Sequence, residues 1–282
     1  MKANMTDICK SIKRMDEYLR GKLREAQLWE NTYICKQIEK RKDCGTFTIQ
    51  DHIRAMVYSM LSSGAAWERL EKHTDPETGR ILPIDEIFCQ YEPEALLKSK
   101  PDKLYSSVKG LGCGSQYTQQ QIKALIEVNI GTFQRLKQQF RSVDNFYNRF
   151  TEADSSLKTL VLVLSSPDSP FKLKQMGEAL TAEYLKNVGY DIAKPDRHIR
   201  RILGSEILGC YDKKEVPIYE AFDIVAEIAK EMKRPVAEVD YILWSYCANG
   251  YGETCLKSAP KCNICVAKSC CLSNRKVLKV KK

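Results

Sequence analysis

Four cysteines near the C-terminus restrict the fold more than any other feature of the sequence. Cys255, Cys262, Cys265 and Cys271 follow a C-x6-C-x2-C-x5-C pattern that closes within 17 residues. Cys270 stands beside Cys271, so the last spacing can also be read as x4. Four thiols in so short a segment predict a loop folded around a metal, because thiolates are ligands of zinc and of iron–sulfur clusters.

Disulfide bonds are the main alternative for a chain with 12 cysteines. The N-terminal segment is charged and contains no apolar signal sequence. We therefore expect a cytoplasmic protein whose thiols stay reduced, which favours a metal site. The single C-x2-C pair and the lack of a histidine after His198 favour a [4Fe–4S] cluster over zinc.

The positive charge of the chain is concentrated at this loop and the tail behind it. Of the formal net charge of +9, residues 255–282 contribute eight basic residues and no acidic one, which leaves residues 1–254 at +1. This distribution predicts a contact with nucleic acid, with a solubilising tail as the alternative for residues 276–282. Lys257 and Lys261 lie inside the loop, where a bound metal would hold them rigid as phosphate contacts.

Apolar residues recur mainly at helical spacing. Helices are predicted over residues 48–61, 118–140, 217–233 and 236–247, and only residues 159–164 have a short β-like pattern. No stretch reaches the roughly 18 apolar residues that span a bilayer, so we expect no membrane contact. The predicted fold class is all-α, and two helices have defined inward faces: Ala221, Ile224, Val225, Ile228 and Met232, then Val239, Leu243 and Tyr246.

Residues 173–185 predict a helix, a tight turn at Gly177 and a second helix. The first backbone N–H groups of that second helix can bind an anion, and Lys172 and Lys174 add positive charge. An ordinary connection between two helices is the alternative.

Asp196 stands at the predicted start of another helix, directly after Pro195. The structural interpretation is a helix cap. The functional one is a catalytic carboxylate that the neighbouring Arg197, His198, Arg200 and Arg201 keep ionised. His198 has its own alternative as a hydrogen-bonded core residue.

The order of these motifs resembles the endonuclease III-like DNA glycosylases of the helix-hairpin-helix family. The resemblance covers about residues 45–272 and is carried by the turn at Gly177, the D-x-H-x-x-R segment from Asp196 to Arg201, the apolar helix before the loop and the cysteine spacing. Two positions depart from the family pattern. Gln175 replaces the first glycine of the hairpin, and Leu180 stands before the Thr-Ala pair where bifunctional members have a lysine.

The resemblance implies two helical lobes that flank a DNA-binding cleft. Residues 51–190 would form a helical barrel with the helix-hairpin-helix near 168–186. Residues 1–50 and 191–282 would form the second lobe, with the [4Fe–4S] loop at 255–271, Cys271 as its fourth ligand and a basic tail at 272–282. The implied partner is double-stranded DNA with a lesion or a mismatch, bound by a monomer that would associate with the nucleoid in a prokaryote.

The implied reaction is hydrolysis of the N-glycosidic bond of a damaged or mispaired base, with Asp196 as the catalytic carboxylate and without lyase activity. A bifunctional glycosylase/AP lyase, a non-catalytic DNA-binding relative and a zinc-stapled helical module are the alternatives. The target base must leave the stack, so the loops after Leu61 and around Gly112–Ser115 are candidates for a wedge. The implied DNA contacts are Lys174, Gln175, Gly177, Ala179, His198, Lys257 and Lys261.

Overall fold

The computed structural model describes residues 4–64, 67–154 and 156–274, and it is helical. Within these ranges the only β-type pairing is an isolated antiparallel bridge between Thr74 and Ile81, and none of the helices is long and apolar enough to cross a membrane. The α-helices, in chain order, are α1 (Met5–Arg20), α2 (Tyr33–Lys42), α3 (Ile49–Leu61), α4 (Glu68–Glu71), α5 (Leu82–Ile87), α6 (Pro93–Lys98), α7 (Pro101–Gly110), α8 (Thr118–Ala124), α9 (Ile130–Phe140), α10 (Val143–Ala153), α11 (Lys158–Ser165), α12 (Glu178–Asn187), α13 (Arg197–Ile202), α14 (Ile218–Met232) and α15 (Val236–Cys247).

The four helices predicted from periodicity are present, and the all-α prediction is confirmed. Helix α3 begins where Thr48 and Asp51 form a reciprocal capping box, which satisfies two backbone N–H groups. A π-helical turn, Leu125–Asn129, joins α8 to α9. The predicted inward face of α15 is buried throughout. On α14, Ile224 is only half-buried, while Phe222 and Ala229 are buried in addition to the predicted residues.

The β-like interpretation of residues 159–164 is wrong, because they lie inside α11. The pattern of that segment is apolar on several sides, which does not distinguish a strand from a buried helix. The hairpin also differs from the prediction. Its first helix is α11, which ends at Ser165, and residues 166–177 form a longer connection without helix. Within this connection, the backbone N–H of Met176 donates to the backbone oxygen of Leu173 at 3.1 Å and closes a turn. Pro167 and Pro170 disfavour helix at the residues before them, and the left-handed backbone of Gln175, with a φ of 63°, interrupts helix further along the segment.

The chain divides into two compact units. The first comprises Met1–Trp29 and Asp191–Lys282, and the second comprises Glu30–Tyr190. The structure therefore assigns residues 30–50 to the second unit, whereas the sequence interpretation placed them with residues 191–282. The reason is that α2 packs against α12, where Arg41 donates a hydrogen bond to the backbone oxygen of Val188 at 2.8 Å.

Helix α3 forms the centre of the second unit, where it packs against α12 and α9. A buried carboxylate is hydrogen-bonded to a tyrosine in the C-terminal half of α3. Asp85 accepts hydrogen bonds from the hydroxyl groups of Tyr58 at 2.7 Å and Tyr91 at 2.6 Å, and it forms an ion pair with Arg80. Burial, together with the charge of Asp85, raises the pKa of Tyr58 well above its usual range.

Helix α15 forms the centre of the first unit, where it packs against α1, α13 and α14. The segment that leads to α13 is fixed to α15 by two aspartates. Asp191 accepts a hydrogen bond from the backbone N–H of Ala237 at 2.9 Å, and the buried Asp240 accepts one from the backbone N–H of Lys194 at 3.0 Å. The start of α13 therefore has a defined position within this unit.

Candidate functional site

Asp196 caps helix α13 with one oxygen of its carboxylate. Oδ1 accepts hydrogen bonds from the backbone N–H groups of His198 at 2.7 Å and Ile199 at 3.1 Å. Within the described part of the chain, Oδ2 takes part in no hydrogen bond, and the residue is only half-buried. The capping interpretation is thus confirmed, and it leaves the second oxygen available to a ligand while the cap fixes the orientation of the group.

The basic residues beside Asp196 are mostly engaged elsewhere. Arg200 donates a hydrogen bond to the backbone oxygen of Val216 at 2.7 Å and lies 3.8 Å from the carboxylate of Glu215. Burial lowers the pKa of His198, and this effect outweighs the opposing charge of Asp196. The surroundings of His198 therefore favour its neutral form, which can donate a hydrogen bond. Arg197 is exposed.

Arg201 connects α13 to the cysteine loop. Its guanidinium group donates to the backbone oxygen of Cys255, and it lies 3.5 Å from the sulfur of Cys255 and 3.6 Å from that of Cys247. A hydrogen bond from Cys247 and the charge of Arg201 lower the pKa of the Cys255 thiol to about 6, against an opposing effect of burial. Cys247 is outside the four-cysteine pattern, and its role at this position could not be read from the spacing.

The remaining thiols of the pattern have different surroundings. The hydroxyl group of Tyr246, which is buried, donates to the sulfur of Cys265 at 3.3 Å. Burial raises the pKa of the Cys271 thiol, and the charges of Cys255 and Cys265 act in the same direction. Cys262 is exposed. The donor set suits an iron–sulfur cluster, but across the described ranges no group of three or more His, Cys, Asp or Glu side chains is arranged to hold a metal ion.

Lys257 and Lys261 of the cysteine loop are both exposed, but they differ in their partners. Lys261 forms an ion pair with Glu253, which precedes the loop, at 3.0 Å, so part of its positive charge is neutralised. Lys257 is exposed and has no ion-pair partner in the described part of the chain. Of the basic tail, residues 275–282 lie outside the described residues.

The turn before α12 keeps the backbone conformation of the hairpin without its first glycine. Gln175 has a φ of 63°, in the left-handed region that favours glycine. Gly177 has an extended backbone, and a Cβ atom added there would meet nothing within 4 Å. No side chain caps α12. The N–H groups of Glu178 and Ala179, in its first turn, have no intrahelical acceptor because of their position, so the turn can receive an anion.

Two features of this unit were not identified from sequence. The buried amide of Asn129 bonds both backbone groups of Lys174 in the turn. Tyr117, which is 50% exposed, lies beside the second predicted wedge loop, and a Cβ atom on Gly64 in the first would lie 3.6 Å from its ring. The two predicted wedge loops therefore meet at an exposed aromatic side chain. The sequence offers one signal for Tyr117, which is an aromatic residue in a polar loop.

Known proteins are similar to this chain in sequence and in fold. The 8-oxoguanine DNA glycosylase/AP lyase of Aquifex aeolicus is 32% identical over 96 residues, which are 33% of this chain and 42% of that protein. The chain thus matches less than half the length of this curated relative. The crystal structure of Methanocaldococcus jannaschii 8-oxoguanine glycosylase/lyase in complex with a 15mer DNA containing 8-oxoguanine matches with a TM-score of 0.51 and 18% identity, over 83% of this chain and 95% of that one.

No family model matches the sequence. The structural likeness shows that the chain has the all-α fold of that glycosylase. The protein that is similar in sequence and the one that is similar in fold are both named as 8-oxoguanine glycosylase and lyase.

Proposed function

We propose that the protein is a DNA glycosylase that hydrolyses the N-glycosidic bond of a damaged base. The observation that carries this proposal is the Asp196 carboxylate, which two backbone N–H groups hold through one oxygen while the other oxygen has no hydrogen bond within the described residues. A carboxylate held in this way, in a chain with a glycosylase fold, is suited to a reaction that develops positive charge.

The chemistry requires negative charge near the sugar. As the base departs, the sugar becomes oxocarbenium-like, and a fixed carboxylate stabilises its positive charge without having to reorganise. Oδ2 of Asp196 would face the anomeric carbon and orient the attacking water, which transfers its proton to the carboxylate as the new C–O bond forms. The leaving base takes up a proton from solvent or from the protein.

DNA would be bound through its phosphates at two places, each within one unit. The open turn before α12 offers backbone N–H groups beside the exposed Lys174. The cysteine loop offers Lys257 and, in competition with Glu253, Lys261. The space that a flipped base leaves in the duplex must be filled, and Tyr117 is the exposed aromatic residue at the two predicted wedge loops.

The substrate we propose is 8-oxoguanine, because both similar proteins are named for that lesion. A panel of single-lesion duplexes containing 8-oxoguanine, uracil, mismatched thymine, an oxidised pyrimidine or an alkylated purine tests this choice. Release of 8-oxoguanine in preference to the other bases is expected. Release of a different base would keep the glycosylase proposal and overturn the substrate.

We further propose that the enzyme has no lyase activity. The relatives are named as lyases, so a bifunctional enzyme is the second candidate. However, Leu180 stands where a lysine is expected, and Lys186 is buried and paired with Glu183 at 3.2 Å. Borohydride reduction on an abasic-site duplex is expected to trap no covalent adduct, in parallel with a known glycosylase/lyase that does form one. An adduct that is lost in Lys174→Ala or Lys186→Ala would contradict this proposal.

The cysteine pattern leads us to propose a [4Fe–4S] cluster held by Cys255, Cys262, Cys265 and Cys271. The cluster would supply a rigid frame for the loop that carries Lys257 and would take no part in the reaction. Anaerobically purified protein is expected to contain about four iron atoms and as much sulfide per chain. Cys271→Ser should lose iron, whereas Cys270→Ser, at the adjacent position, should retain it. Stoichiometric zinc in place of iron would contradict the proposal.

A further inference from the structure

A buried polar side chain in the π-helical turn between α8 and α9 forms hydrogen bonds with the backbone of the turn before α12. Asn129 is the last residue of that π turn, and its side chain is 0% exposed. Its Oδ1 accepts a hydrogen bond from the backbone N–H of Lys174 at 2.7 Å. Its Nδ2 donates one to the backbone oxygen of the same residue at 3.0 Å. One buried amide thus satisfies both backbone groups of Lys174.

This contact matters because the backbone on the exposed side of the turn has few other supports. Leu173 and Met176 are buried on either side, while Lys174, Gln175 and Gly177 are exposed. Gln175 adopts a left-handed conformation, which is unfavourable for a residue with a side chain and persists only where the surroundings impose it. The amide of Asn129 fixes the peptide groups on both sides of Lys174, directly before that strained residue.

The π turn explains how Asn129 reaches this position. A π turn inserts one residue into a helix and rotates the side chains that follow, and such turns are frequent at functional sites. The amide nitrogen also lies 3.5 Å from the sulfur of Met56 on α3. A buried amide with both polar atoms bonded is costly to replace.

We infer that Asn129 is a positioning residue for DNA binding, which holds the Lys174–Gly177 turn in the conformation that grips a phosphate. This inference rests on the proposed function. It assigns part of the DNA affinity to a residue that touches neither DNA nor the reacting atoms.

Asn129→Asp tests the inference, because the protonated and ionised forms of the new side chain differ in one bond. A protonated carboxyl group can accept from the N–H of Lys174 and donate to its oxygen, as the amide does. An ionised one can only accept, and it faces the backbone oxygen of Lys174 with a negative charge. Burial raises the pKa of a carboxyl group, so the protonated form persists well above the usual range. Asn129→Leu removes both bonds at every pH.

The measured quantity is a Kd ratio: the Kd of Asn129→Asp for an abasic-site duplex divided by the Kd of wild type at the same pH. We expect this ratio to be near one at pH 5.5. At pH 9 the ratio should rise to about ten, which corresponds to the loss of one hydrogen bond to a backbone group. Asn129→Leu, which lacks both bonds, should be weaker by at least that factor throughout the range. Asn145→Asp adds the same charge at an exposed position of the same unit, and its ratio should stay near one. Circular dichroism on the same samples reports whether each variant is folded.

A Kd ratio near one at every pH for Asn129→Asp would overturn the inference, as would wild-type affinity in Asn129→Leu. Loss of DNA binding that coincides with global unfolding would also overturn it, because Asn129 would then be a stabilising residue only. If Asn129→Leu does not fold, the pH series of Asn129→Asp decides alone. Failure of the proposed function is distinguishable, because the wild-type protein itself would then bind no DNA or release no base.

Discussion

Replacing Asp196 with asparagine is expected to lower the single-turnover rate of base release by about 10²–10⁴-fold, the range for loss of one acid–base group. The structure makes this substitution selective. Asparagine is as good a helix cap as aspartate, so the hydrogen bonds to His198 and Ile199 and the start of α13 should be retained. Only the negative charge and the proton acceptor are lost.

Two further variants separate catalysis from capping. Asp196→Ser also supplies a cap without a charge, and it should show a similar loss of rate with little change in stability. Asp212→Asn removes an exposed carboxylate from the same unit and should retain the wild-type rate. A wild-type rate in Asp196→Asn would show that Asp196 is only a cap and would move the catalytic carboxylate elsewhere.

The largest expected loss of stability follows from Asp85→Ala in the second unit. The change leaves the buried hydroxyl groups of Tyr58 and Tyr91 without their acceptor and Arg80 without its ion-pair partner. Breaking a buried charged network by removing one member costs about 3–5 kcal/mol of the free energy of unfolding. Urea unfolding measured by far-UV circular dichroism tests this value.

Glu86 provides a matched control, because it is the next residue on α5 and is exposed. Glu86→Ala should change the free energy of unfolding by no more than about 0.5 kcal/mol. Equal stability of Asp85→Ala and wild type would show that the buried network contributes no net stability.

The parts of the fold that could be predicted are those encoded in neighbouring residues. Helix α3 could be predicted from its cap at Thr48, and helix α15 from apolar residues at helical spacing. Residues 159–164 were assigned wrongly because an apolar run of that length fits a strand or a buried helix. The boundary at residue 50 failed for a different reason, since the contact of Arg41 with Val188 joins residues distant in sequence.

The residues of the candidate site also fall into those with a local sequence signal and those without one. Asp196 could be predicted because a helix cap after a proline is a local signal, and the cysteine loop because its spacing is local. Asn129, Arg201 and Cys247 could not, because each acts through contacts with residues at least eight positions away in the chain. Gln175 shows a further limit, since its left-handed backbone is imposed by the surrounding structure and not by its own preference.

If the protein is a glycosylase, the wild-type enzyme forms two defined products from a duplex with one 8-oxoguanine. Mass spectrometry of the reaction should find free 8-oxoguanine, released in equal amount to intact strands that carry an abasic site. Asp196→Asn should bind the same duplex and release almost none. If the wild-type protein binds the duplex but frees no base from it, or from any other duplex of the lesion panel, the protein is not a glycosylase.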